Sequence, residues 1–206
     1  MNDLSQHFHA QACNNAWSNL RLLRACAELD DAEFAAPRTG FFPSLKDTLN
    51  HIVTVDWLYV DALERAVAGR PVNPDAARFF EPLAPFATCA TLAPAQREVD
   101  QRLIALCAGL TDLSPTVSIQ RADHVQREPL VRVLAHLFQH QIHHRGQAHA
   151  MLAGTAVKPP QLDEFFLTEE APLRAEELAV LGLREADIWP GTLLRFAGNE
   201  QSQKPD

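Results

Sequence analysis

The chain has 206 residues, 47% of them hydrophobic, which suits one domain with a real core or one domain with an appendage. Its net charge of -8, with no window presenting a basic face, argues against a nucleic-acid partner, because phosphate binding needs such a face. No uncharged apolar stretch is long enough to span a bilayer, and the Met1 end lacks the basic and apolar runs of a signal peptide. Four cysteines, Cys13, Cys26, Cys89 and Cys107, form no CxxC pair. They read as reduced thiols filling core positions, and the expected location is cytoplasmic.

Four long segments carry helical periodicity, separated by proline-rich breaks. The first covers residues 3–29, with Leu4, Phe8, Ala12, Leu22, Cys26 and Leu29 on one side. Asn15 and Asn19 interrupt that stripe, and if buried they need partners. The second covers 44–68. Ser44 and Asp47 have capping-box spacing at its start, and Gly69-Arg70-Pro71 ends it. After a loop over 72–90, a third helix is expected over 94–110, because a proline such as Pro94 fits a first helical turn. Val117, Ile119 and Val125 alternate within 116–127, as in a small hairpin or an extended loop. The fourth helix is expected over 129–154, and a shorter one over 172–183 precedes a loose, polar terminus after Phe196. The pattern predicts an all-α fold, a four-helix bundle over residues 1–170 with a short, partly helical C-terminal extension over 171–206.

Nine histidines are present, and four of them lie between His136 and His144. At about 100° per residue, His140 and His144 stand one turn apart on one helix face, together with Val133, Leu137, Ala148 and Met151. Both imidazoles are therefore expected to face the interior, where an HxxxH pair can chelate one divalent ion. The bland alternative is a pair of hydrogen-bonded core histidines. A third ligand must come from elsewhere, and His51 shares an inward face with Val55, Leu58 and Ala62. Three imidazoles leave a coordination position open for water or substrate, the mark of a catalytic site. His7, His9, His124, His136, His143 and His149 read as surface or supporting residues. Gln147 is placed to orient an imidazole. Arg145 points off the histidine face, either to an acidic partner on another helix or subunit or simply to solvent. Asp47 is assigned to the cap rather than to His51, and Asp56 lies off the ligand face.

The run from His140 through His144-Arg145-Gly146-Gln147 resembles the HxxxHRGQ signature of the DinB family. Leu49-Asn50-His51 through Asp56-Trp57 is similar to that family's second-helix segment, and Trp17-Ser18-Asn19-Leu20-Arg21 to its first. The resemblance covers about residues 3–166. It implies a three-histidine divalent site holding zinc or nickel, in an up-down-down-up bundle that commonly dimerises. Phe79-Phe80 and Phe165-Phe166 are candidate contacts for a homodimer, or else fold back as core. The wider superfamily includes thiol S-transferases and a thiol-dependent isomerase, so the resemblance implies a small-molecule thiol as partner. Two functions stand side by side: a metal-dependent transferase or hydrolase, and a non-catalytic metal-binding stress-response protein.

Overall fold

A computed structural model describes residues 3–190. Among them the chain is mostly helical, with one two-stranded sheet. It divides into two compact units after Gln161.

In the first unit, α1 covers Asp3–Cys26. A five-residue helix, α2 (Asp31–Ala35), follows; its Glu33 amide donates to the Asp30 carboxylate, and Phe34 is buried. That segment is too short to show a helical period, and sequence reasoning passes over it. Helix α3 spans Leu45–Val67. Ser44 caps it by accepting the Asp47 amide, and the Ser44 hydroxyl donates to Asp47 Oδ2 at 2.7 Å. Asp47 thus serves the cap, as expected. Gly69, with φ of 62°, turns the chain out of the helix in the left-handed region that glycine enters without strain.

Helix α4 spans Cys89–Ala108 and begins five residues before Pro94. Thr88 is the cap, accepting the Thr91 amide. Pro94 stands in the second turn, where its missing N–H leaves the carbonyl of exposed Ala90 to water. A proline is tolerated near a helix start, and here it does not mark the start itself. The hairpin reading holds: β1 (Thr116–Gln120) and β2 (Val125–Pro129) pair antiparallel, with Val117 and Ile119 buried. Helix α5 runs directly on from β2 over Leu130–Leu152.

Helix α1 packs on α4 and α5, and α3 packs on α5 and α4. Two apolar clusters result. One joins Phe8, Val60, Leu103 and Leu134; the other joins Leu22, Leu49, Leu92 and Leu152. Between them along the helices lies a buried polar layer. Asn15 and Asn19 donate to Asp100, and Gln96 donates to both Asp56 and Asp100. Arg145 donates to the side-chain oxygens of Asn15, Asn19 and Gln141. The asparagines that break the apolar stripe are therefore partnered, and Arg145 is buried rather than solvated. His9 is buried as well, with Cys13 Sγ 3.6 Å from its Nε2, which corrects the reading of it as a surface or supporting residue.

The second unit holds α6 (Ala171–Leu181), stopped by left-handed Gly182, and α7 (Glu185–Ile188). Its centre is Arg174, which has no exposed surface, pairs with both carboxylate oxygens of Glu185 and stands over the Phe165 ring. The terminus expected to be loose after Phe196 lies outside the described residues.

Candidate metal centre

His51 is on α3, and His140 and His144 are on α5, one turn apart. The packing of α3 on α5 turns the three rings toward one another. His51 Nε2 and His140 Nε2 are 3.0 Å apart, and the candidate ligand atoms of all three lie within 4.8 Å of one another. Two nitrogens bound to one tetrahedral ion sit about 3.3 Å apart, so small ring movements suffice to share one. His144 is buried, while His51 and His140 are half-buried.

Burial, and then repulsion from His144, lowers the His51 pKa to about 4. Burial and the other histidines lower that of His140 to about 3. His144 is also lowered, chiefly by burial and against the pull of its Gln147 bond. All three are neutral at pH 7, the form whose lone pair binds a metal. His144 Nδ1 lies 2.8 Å from Gln147 Oε1. An amide oxygen only accepts, so Nδ1 carries the proton and Nε2 is left free to ligate. His140 Nδ1 is buried without a hydrogen-bond partner, which leaves Nε2 as that ring's polar face. The donor set fits a divalent ion, and the triad could hold one.

The sequence-derived trio is thus brought together, and Asp47 and Asp56 stay outside it. Asp56 is fully buried. Burial, and then the neighbouring Asp100 charge, pushes its pKa up to about 8. Asp100 is pushed up to about 6 by burial, with Asn19, Gln96 and Arg145 pulling the other way. Arg145 is lowered to about 10 by burial against those two carboxylates. Sequence reasoning missed Phe42, whose ring lies 4.4 Å from that of His51 and 5.5 Å from that of His144. The loop before it passes so close to α5 that a Cβ at Gly40 would fall 2.1 Å from Met151 Cε. Nothing in the spacing of Phe41-Phe42 signals either contact.

His136 is exposed, with its ring 6.1 Å from that of His140; His143 Nε2 accepts from Gln147 Nε2. His149 meets the Pro160 carbonyl, and His124 meets Asp123. No described helix is long and apolar enough to cross a membrane. Comparison with family models matches the DinB family over residues 4–178, extending past the first unit into α6. No curated protein matches the chain.

Proposed function

The chain belongs to the DinB family, and on that premise we propose that His51, His140 and His144 hold one divalent ion, zinc or nickel, and that the protein is a metal-dependent enzyme acting on a small molecule. The observation that carries this reading is the convergence of three neutral imidazoles that no fourth His, Cys, Asp or Glu joins among the described residues. Three protein ligands leave a fourth tetrahedral position for an exogenous group. A bound divalent ion lowers the pKa of a coordinated thiol or water and supplies a nucleophile near neutral pH.

The chain's own residues prepare that chemistry. Gln147 fixes the tautomer of His144. Burial keeps the imidazoles uncharged, so each ring retains one nitrogen lone pair for the metal. The protein's thiols are poor candidates for the nucleophile: all four cysteines are buried, and burial pushes Cys26 and Cys107 up to about 12 and Cys89 to about 11. The thiol or water is therefore external, and thiol S-transfer is the reaction the family resemblance favours over hydrolysis.

A second reading is a non-catalytic metal-binding stress-response protein. Phe42 favours it, because its ring covers one side of His51 and His144. Cobalt substitution separates the two. The enzyme reading predicts sulfur-to-metal charge-transfer bands when small cellular thiols are added, and none in His144→Ala. A filled coordination sphere that exchanges neither thiol nor water overturns it.

The proposal includes an up-down-down-up bundle of α1, α3, α4 and α5. Support comes from the two apolar clusters: the one containing Phe8 draws on the ends of α3 and α4 and the start of α5, and the other on the reverse. It also includes a homodimer. Phe166 is 40% exposed, whereas Phe165 is buried and Phe79 and Phe80 pack on the core of their own chain. A cytoplasmic location is proposed from four buried cysteines, none of which forms a disulfide.

A further inference from the structure

We propose that the cavity between α3, the start of α5 and the β-hairpin is a subsite for a singly charged carboxylate, with Arg121 as its partner. The cavity measures about 370 Å³, within the range of small-molecule sites, and is lined by Tyr59, Arg121, Gln126, Glu128, Arg132 and His136 among others.

Arg121 stands half-buried at the wall of this cavity. Its Nε donates to Gln126 Oε1 at 2.9 Å, and its Nη2 donates to the Tyr59 hydroxyl at 3.4 Å. Both partners are neutral, and no carboxylate pairs with this half-buried guanidinium among the described residues. The nearby Glu128 is engaged elsewhere. One of its oxygens accepts from Gln126 Nε2 at 3.1 Å, and the other lies 3.8 Å from Arg132 Nη1. Gln126 therefore turns its oxygen to Arg121 and its amide nitrogen to Glu128, standing between the cation and the carboxylate. Glu128 and Arg132 offset each other, so the lining keeps the single charge of Arg121. A guanidinium that is partly desolvated and unneutralised at a cavity wall is a planar, two-pronged donor awaiting an anion. A carboxylate group brings one charge to Arg121, whereas a phosphate dianion brings two against Glu128, so a carboxylate is favoured, including one at the end of a dicarboxylic acid.

The place of the cavity gives the subsite its use. His136 lines it, with its ring 5.3 Å from that of Tyr59 and 6.1 Å from that of His140. His136 to His140 is about one helical turn, roughly 6 Å. A small acid anchored on Arg121 could extend its other end past His136 toward the three histidines. This extension, unlike the subsite itself, rests on the metal-dependent reading above.

The test is an NMR titration of the full-length, metal-free protein with glutarate, following the Arg121 Nε–H and the amides of residues 116–129. Saturable shifts are expected with glutarate and not with its dimethyl ester. Arg121→Gln should weaken binding about tenfold or more, the loss expected for a charge-assisted contact. Gln126→Glu serves as the second variant, because it gives Arg121 an internal carboxylate without emptying the hairpin. It too should weaken glutarate binding about tenfold or more. No saturable shift, undiminished binding in a folded Gln126→Glu protein, or tighter binding of inorganic phosphate than of glutarate would each overturn the proposal. Chelated protein is used so that failure of the metal assignment leaves this result standing.

Discussion

Replacing Arg145 with Met keeps most of the buried stem and removes the guanidinium that joins α5 to α1. Two acceptors, Asn15 Oδ1 and Asn19 Oδ1, lose that donor in a layer without water access. Each such loss costs about 1–3 kcal/mol, and Asp100 loses its nearby cation, so about 3–5 kcal/mol in all is expected. That is a large part of an ordinary domain's stability, about 5–15 kcal/mol. The deficit should also depend on pH. Burial already raises Asp100 to about 6 while Arg145 holds it down, so the variant's Asp100 rises further. A carboxyl raised in the folded state favours folding while protonated and loses that advantage as pH climbs through its folded pKa. The deficit is therefore smaller near about pH 5 than near about pH 8, by roughly 1.4 kcal/mol for each pH unit that the Asp100 pKa climbs in the variant. The assay is urea unfolding of the chelated protein followed by far-UV circular dichroism at both pH values. A deficit under about 1 kcal/mol, or one equal at the two pH values, would refute the reasoning.

Gln147→Leu removes the acceptor of the His144 Nδ1 proton and should weaken metal binding about tenfold to a hundredfold, with Gln147→Glu restoring most of it; competition against a chromophoric chelator reads both. The homodimer is checked by light scattering at micromolar concentration, where twice the chain mass is expected and a monomer alone counts against it.

Much of the site was legible because it depends on spacing within one helix. His140 and His144 are four residues apart, and that separation alone sets them on one face. Gln147 follows from the same geometry at three residues from His144. His51 required a second helix with its own inward face, which Val55 and Leu58 supply. The hairpin was visible in the alternation of Val117 and Ile119.

The rest depends on contacts between distant parts of the chain. Asn15 and Asp100 are 85 residues apart, and Asn15 and Arg145 are 130 apart; no periodicity links them. The asparagines announced only that partners were needed. Arg145 was misread in one of its two alternatives because a charged side chain off the ligand face usually meets water, and here that direction leads into the middle of the helices. Pro94 places the start of α4 too late, because it is a local signal of what a helix tolerates, whereas Thr88 supplies the actual cap. His9 has no second histidine at ligand spacing, and its burial beside Cys13, one turn on, follows from the packing of α1.

If three histidines from two helices share one ion, the metal content of the purified protein shows it. The untagged protein is purified without added metal and analysed by mass spectrometry for zinc, nickel and the other divalent ions, beside His51→Ala, His140→Ala and His144→Ala, each checked for native circular dichroism. About one divalent ion per native chain is expected, and a small fraction of that in each folded variant. A native protein that retains no divalent ion, or variants that retain as much as the native chain, would contradict it.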